Sequence, residues 1–178
     1  MIGASLQYLG SQNRPITEML LTQIGRKPIN DRAVEREVYA LSAGMALGLV
    51  NLGSGPRLGQ LFGDLNIDER LIRFIEGGKI MDIPKSMLQA NQNAESHQCS
   101  SIREGDQINI HITSAGGLFA LTLIYLQTGC RSVCQRLQMP ETFNQLEYVR
   151  PPFLLQKTLS RNLIMWNNIE ASKAWVEK

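Results

Sequence analysis

The chain has 178 residues, a formal net charge of +2 and 43% hydrophobic residues, which is enough apolar material for one domain with a buried core. Acidic residues are interspersed among the basic ones, as in residues 31–37, so no concentrated basic face indicates nucleic-acid binding. The three cysteines, an odd number without a secretory signal motif, indicate free thiols in a reducing compartment, and the apolar runs 43–50 and 117–126 are too short to span a membrane.

The first predicted element is the leading copy of an internal repeat, residues 3–10, which aligns without gaps with residues 46–53 and 120–127. In each copy large apolar side chains recur three apart and small residues lie between them, which is typical of a helix packed closely on other helices. The first two copies start 43 residues apart, as helix-pair repeats do. We take these as the structural repeat positions: Gly3, Leu6, Leu9, Gly10, Gly44, Gly48, Leu49, Leu52, Gly53, Gly117, Leu123 and Leu126.

A second helix is predicted after the first copy. Asn13 is a good N-cap, Pro15 suits a first turn, and Gly25 ends the pattern. The predicted apolar face is formed by Ile16, Met19, Leu20 and Ile24. Residues 1–65 are therefore predicted to hold two helix-pair repeats.

Two glycines, one just before and one within the second copy, predict close helix packing. An interior glycine costs about 1 kcal/mol relative to alanine, so Gly44 and Gly48 indicate an inner helix that its neighbours approach on both sides. Gly48→Leu is expected to overpack that contact. Gly48→Ala is expected to be tolerated, because the gain in helix propensity partly offsets the added methyl group.

Residues 66–113 are predicted to form an insertion between the second and third copies. Residues 107–113 alternate apolar and polar side chains with β-branched residues, which indicates a half-buried strand. Residues 70–76 fit either a helix or a strand. Residues 79–101 are rich in polar side chains and are predicted to be a flexible loop.

Residues 114–178 are predicted to hold a further repeat and the C-terminal helices. After Gly129, four residues follow at helical spacing, and Pro140 ends the pattern; they are Cys130, Val133, Cys134 and Leu137. Neither end carries a polar capping repeat, so we expect one partial repeat domain of a much longer chain that self-associates when isolated.

Candidate reactive groups are few. The glycine-rich run 53–59 lacks the spacing of a dinucleotide or phosphate loop, and Pro56 removes an N–H donor, so it predicts a helix end and turn. Cys130 and Cys134 share a helix face, but zinc requires two more ligands, so buried free thiols are favoured. Without a base held beside a cysteine, an enzyme is not expected, and we predict no catalytic, cofactor-binding or metal-binding residues.

Residues 39–55, with the sequence YALSAGMALGLVNLGSG, resemble the proteasome/cyclosome repeat. That repeat occurs in the two large non-ATPase subunits of the proteasome base and in subunit 1, the largest scaffold subunit, of the anaphase-promoting complex. Residues 63–67, 102–110, 123–128 and 163–169 are similar to the latter family, in the same order. The third copy departs from the second at two positions, with Thr122 and Gln127 in place of glycines, which predicts less close packing there.

The resemblance implies a mainly α fold, an α-α superhelix closed into a toroid, in which the strand near residues 107–113 is a small insertion. It implies a non-catalytic scaffold segment of a cullin-RING ubiquitin ligase that controls mitotic progression, found in the nucleus and cytoplasm. Its implied partners are other subunits of that complex, with no cofactor, nucleic acid, membrane or small-molecule substrate. The alternative is a proteasome base-type toroid that receives ubiquitin-like domains.

Overall fold

A computed structural model describes residues 1–26, 33–77, 108–147, 149, 151–170 and 172–176. In these ranges the chain is helical, which confirms the mainly α helical-repeat prediction, whereas the predicted loop 79–101 lies outside them. Short 3-10 turns occupy Gly63–Leu65 and Trp166–Asn168. The α-helices are α1 (Ile2–Gln7), α2 (Arg14–Ile24), α3 (Ala33–Val50), α4 (Pro56–Leu61), α5 (Ile67–Glu76), α6 (Ile110–Ile124), α7 (Arg131–Arg136), α8 (Phe143–Glu147), α9 (Pro151–Ile164) and α10 (Lys173–Val176).

The strand predicted near residues 107–113 is wrong where the structure describes it, because helix α6 begins at Ile110. The side-chain oxygen of Asn109 accepts a hydrogen bond from the His111 N–H at 3.1 Å and so caps the helix. The Thr113 hydroxyl donates to the Phe74 carbonyl at 2.8 Å, which ties this first turn to α5. Packing against α5 overrides the strand propensity of the β-branched residues.

Helix α2 begins and ends as its sequence predicts. The Asn13 side chain accepts a hydrogen bond from the Ile16 N–H at 3.2 Å, and Gly25 is the C-cap. The buried face comprises Thr17, Leu20, Leu21 and Ile24. The prediction that Met19 belongs to this face is wrong, since its side chain is exposed. Residues 70–76, which fitted a helix or a strand, are helical and belong to α5.

Helix α6 is the centre of the molecule, with α3, α5 and α9 packed around it. Two successive glycines, Gly116 and Gly117, allow two of these neighbours to pack closely against α6. A Cβ atom on Gly116 would lie 2.3 Å from the carbonyl oxygen of Ala40 in α3, and one on Gly117 would lie 3.0 Å from the Phe74 Cβ in α5. Because the helix is covered on several sides, even its threonines Thr113 and Thr122 are buried, and each hydroxyl bonds a backbone carbonyl.

The backbones of α3 and α6 approach each other closely. A Cβ atom on Gly44 would lie 2.0 Å from the carbonyl oxygen of Gly116. One turn further along, a Cβ atom on Gly48 would lie 2.6 Å from the Cβ of Leu123. The Cβ of Leu123 is attached directly to the backbone and cannot move aside without it. Gly48→Ala is therefore expected to be destabilising, contrary to the prediction from helix propensity.

We expect Gly44→Ala to lower the free energy of unfolding by about 1–3 kcal/mol or more, because the added methyl group forces α3 away from α6. Gly59→Ala is the matched control: this exposed helical glycine has no atom within 4 Å of the added carbon. The control should gain about 0.5–1 kcal/mol from helix propensity. Urea unfolding of the two variants measures both values, and equal stability would contradict the close approach.

Candidate functional site: the helix stack and its corners

Four helices form a continuous stack in which α1 packs on α3, α3 on α6, and α6 on α9. We call these the inner helices. A tight turn follows each of the first three, and we call these turns corner 1 (residues 10–12), corner 2 (residues 53–55) and corner 3 (residues 127–129). Helices α2, α5 and α7 lie after the corners and are called the outer helices.

Each corner donates two backbone hydrogen bonds to the last two residues of the next inner helix. These bonds satisfy carbonyl groups that the helix itself leaves without donors. The same geometry occurs three times, so successive inner helices are tied in a fixed register. The bonds run from Gly10 to Leu49 (3.0 Å) and Gln12 to Val50 (3.1 Å), from Gly53 to Leu123 (3.0 Å) and Gly55 to Ile124 (2.9 Å), and from Gln127 to Leu163 (3.1 Å) and Gly129 to Ile164 (2.9 Å).

The donor residues of every corner have positive φ angles. Their φ angles lie between +51° and +65°, and they flank one residue with a hydroxyl group. The hydroxyls of Ser11, Ser54 and Thr128 donate to the carbonyl three residues earlier at 2.8, 2.7 and 2.8 Å. This local bond supports the turn that directs the two flanking N–H groups outward. Four of the six residues with positive φ are glycines, as this conformation favours, and two are glutamines.

The residue directly after α3 and the residue directly after α6 each reach an outer helix through the side chain. Just before corner 2, the amide of Asn51 donates to the Thr17 hydroxyl of α2 at 3.0 Å, in a fully buried contact. Just before corner 3, the Tyr125 hydroxyl donates to the Asp68 carboxylate of α5 at 2.6 Å. These side chains join each inner helix to the outer helix that follows the preceding corner.

Burial governs the protonation of the Asp68–Tyr125 pair. Burial raises the pKa of Asp68 above its ordinary value of 3.8, while the hydrogen bond from Tyr125 opposes the shift. Burial, with the Asp68 hydrogen bond second, raises the pKa of Tyr125 well above its ordinary value of 10. The phenol therefore stays protonated and remains a donor throughout the physiological pH range.

Two exposed ion pairs connect the outer layer. Arg136, at the end of α7, donates to both carboxylate oxygens of Glu69 at 2.7 and 3.2 Å, and this partner lowers the pKa of Glu69. Arg14, at the start of α2, pairs with Asp64 and lowers its pKa. The first pair joins α7 to α5, and the second joins α2 to the 3-10 turn Gly63–Leu65. Exposed pairs of this kind add little stability.

The structure places most of the predicted repeat positions at the stack. Gly44, Gly48 and Leu123 meet between α3 and α6, whereas Gly117 faces α5. Gly10 and Gly53 are corner donors, and Leu49 and Leu123 supply accepting carbonyls. Leu52 and Leu126 are half-buried beside corners 2 and 3. Gly3 and Leu6 in α1, and Leu9 just after it, are exposed.

Sequence reasoning missed two components of the site. It did not single out Gly116, the partner of Gly44, because Gly116 and Gly117 are adjacent and only one was assigned to the repeat. It also missed the second donor of each corner, namely Gln12, Gly55 and Gly129. The available signal was the Ser, Ser or Thr between two residues suited to positive φ, which recurs at residues 11, 54 and 128.

The remaining polar groups offer little chemistry. Burial raises the pKa of the Cys134 thiol, which favours the protonated, less nucleophilic form. Across the described ranges no group of three or more His, Cys, Asp and Glu residues is arranged to hold a metal ion. No helix in the described part of the chain is long and apolar enough to cross a membrane. A cleft of about 430 Å³ is lined by Cys134, Met139, Glu141, Arg161 and three glutamines.

The family model described as the APC1 fifth domain matches residues 1–178. The chain is 39% identical over 181 residues to Anaphase-promoting complex subunit 1 of Homo sapiens and 34% identical over 178 residues to the protein of that name from Arabidopsis thaliana. It is 30% identical over 180 residues to a protein named Negative regulator of mitosis from Emericella nidulans. These matches cover 99%, 99% and 98% of this chain but only 9%, 10% and 8% of the relatives.

We expect Gly55→Ala to destabilise the fold more than Gly53→Ala does. Both residues have positive φ, which costs an ordinary residue about 1–3 kcal/mol. A Cβ atom on Gly55 would also lie 2.9 Å from the Thr128 Cγ2, whereas one on Gly53 meets nothing within 4 Å. Gly53→Asn, which suits left-handed backbone, should cost least. Urea midpoints in any other order would argue against the corner geometry.

Tyr125→Phe should raise the pKa of Asp68 further, because it removes the hydrogen bond that stabilises the carboxylate. The raised pKa means that the folded state binds more protons than the unfolded chain above pH 3.8, so stability falls as pH rises through this window. The variant should widen the pH range over which stability falls, because the folded-state pKa of Asp68 lies higher. An NMR titration of Asp68 measures the shift, with Tyr39→Phe, which removes an exposed bond to Gln23, as control. An unchanged or lowered Asp68 pKa in Tyr125→Phe would refute the assignment.

Proposed function

This chain belongs to the APC1 fifth domain family, and from that membership we propose that it is a non-catalytic scaffold segment of an anaphase-promoting complex. The chain spans about a tenth of the length of the curated relatives that it matches, so the proposal concerns one part of a large subunit. It includes other subunits of the complex as partners, and the nucleus and cytoplasm as location. The role proposed for these residues is to hold attached parts at fixed distances and angles.

The observation that carries the proposal is the repeated tie between each corner and the next inner helix. A scaffold must transmit position along its length without bending, and a stack joined only by apolar contacts can slide. Here two directional hydrogen bonds fix the register at each step. The glycine contact between α3 and α6 then sets the separation of the two helix axes.

Side-chain bonds between the layers support the same role. Asn51 with Thr17 and Tyr125 with Asp68 link an inner helix to an outer helix beneath the corners. A buried polar pair of this kind is costly to break, because each group would lose its partner without regaining water. Inner and outer helices are therefore expected to move as one body, as a scaffold requires.

The proposal is tested by tagging the natural gene product that carries this sequence and purifying it from dividing cells. We expect several anaphase-promoting complex subunits to co-purify, as identified by mass spectrometry. Gly116→Leu should reduce their recovery per bait molecule at least several-fold, because it separates α3 from α6. Gly59→Ala, at an open surface position, should leave the recovery unchanged.

Two outcomes would contradict the proposal. One is purification of the tagged protein without such subunits, and the other is full recovery with Gly116→Leu.

The non-catalytic part of the proposal is tested separately with Cys130→Ser and Cys134→Ser in the purified complex. Ubiquitin transfer should proceed at the unchanged rate, and a loss of transfer with an intact subunit composition would assign chemistry to these thiols.

A further inference from the structure

The cleft of about 430 Å³ lies between the end of α7, the segment that leads into α8, and helix α9. Its volume is within the range of ligand-binding clefts. The lining residues Gln135, Gln138, Glu141 and Gln145 are exposed, so the cleft is open to solvent. It shares no residue with the three corners, and its lining therefore has no part in the ties of the helix stack.

Two hydrogen bonds hold α7 and the turn after it against α9. The Cys134 thiol donates to the Arg161 carbonyl at 3.8 Å, and the Lys157 ammonium donates to the Gln138 carbonyl at 3.0 Å. The Arg161 guanidinium takes part in neither bond. Its charge lies near the Cys134 thiol, where it opposes the rise in the thiol pKa that burial causes. This side of the cleft therefore has a fixed backbone and carries a positive charge.

The segment before α8 is fixed by Gln145. The side-chain oxygen of Gln145 accepts hydrogen bonds from the backbone N–H groups of Glu141 and Thr142 at 2.8 and 3.2 Å. The Gln145 N–H in turn donates to the Thr142 hydroxyl at 3.3 Å. Because backbone groups on both sides are bonded within the protein, the shape of the cleft does not depend on a ligand.

The polar side-chain groups in the cleft, in contrast, have no partner among the described residues. The Arg161 guanidinium forms no ion pair or hydrogen bond there, and neither does the Glu141 carboxylate. The side-chain amides of Gln135 and Gln138 are also unpartnered, and Gln145 keeps its NH2 group for donation. An arginine binds a carboxylate through two parallel hydrogen bonds, and a glutamine amide donates and accepts as a peptide group does.

We propose that this cleft binds an extended peptide segment of another protein, which places an acidic side chain on Arg161 and a basic side chain on Glu141. The three glutamine amides pair with the backbone N–H and carbonyl groups of the segment. The flexible Met139 side chain adapts to whichever apolar group lies beside it. The inference goes beyond the proposed scaffold function, because it assigns recognition to residues outside the stack ties.

The exposure and the charges of the cleft favour a peptide over other ligands. A small molecule on these exposed side chains would keep much of its surface in water, whereas a peptide gains from several contacts along its length. Nucleic acid is disfavoured, because Glu141 would repel the phosphates that Arg161 attracts. Charge complementarity therefore requires both signs in the occupant.

The test uses random phage-displayed peptides of about nine residues, which span on the order of 30 Å when extended. They are selected on the full-length natural gene product that carries this sequence, expressed without other subunits. We expect the enriched peptides to share Asp or Glu at one position and Lys or Arg at another. A parallel selection on Arg161→Glu should enrich Lys or Arg at the position that was acidic, because the charge that it meets is reversed.

The most enriched peptide is then synthesised, and its affinity is measured by fluorescence anisotropy. Gln138→Glu should weaken binding at least about fivefold, because it adds a negative charge beside the acidic side chain. Gln60→Glu, in α4 and outside the cleft, is the matched control and should leave the affinity unchanged. Both glutamines are exposed, so neither substitution is expected to unfold the protein.

Three results would overturn the inference: no enrichment, enriched peptides without a shared acidic position, or equal affinity for the unsubstituted protein and Gln138→Glu. Weaker binding with Gln138→Glu but not with Gln60→Glu supports it. The Gln138→Glu measurement decides even if Arg161→Glu fails to fold. Because no other subunit is present, the result is independent of the co-purification experiment.

Discussion

The backbone contact between Gly44 and Gly116 sets how closely α3 and α6 pack. With no side chain on either residue, the two helices approach until carbonyl oxygens of one helix meet the backbone of the other. Corner 2 donates to the carbonyls of Leu123 and Ile124 across this same pair of helices. Its two hydrogen bonds and the apolar core between α3 and α6 therefore depend on that separation.

The corners resolve a problem that stacking creates. A buried helix end leaves carbonyls without donors, and each buried polar group without a partner costs about 1–3 kcal/mol. Corners 1, 2 and 3 supply the donors from the preceding unit, so the same bonds that satisfy the helix ends also set the register of the stack. Because the donors of these bonds come from the preceding unit, the stack has a direction.

The strand expected near residues 107–113 shows where local pattern failed. The alternation of Ile108, Ile110 and Ile112 is compatible with a strand and with the start of a helix. Two hydrogen bonds favour the helix: the Asn109 side chain caps α6, and the Thr113 hydroxyl bonds the Phe74 carbonyl in α5. Similarly, Met19 fits the apolar period of α2 but lies on the exposed side. Periodicity identifies the apolar stripe of a helix. Which residues at the edge of that stripe are buried depends on the position of the neighbouring helix.

The helical class, the repeat, the caps of α2 and the glycines of α3 could be predicted from the sequence, because these depend on spacing and local conformational preference. Family resemblance in the ordered flanking segments agreed with the match over residues 1–178. The sequence did not reveal that Gly116 rather than Gly117 meets Gly44, or that paired residues with positive φ tie each corner to the next helix. Both depend on distances between residues far apart in the chain, and such distances are fixed by packing rather than by local sequence.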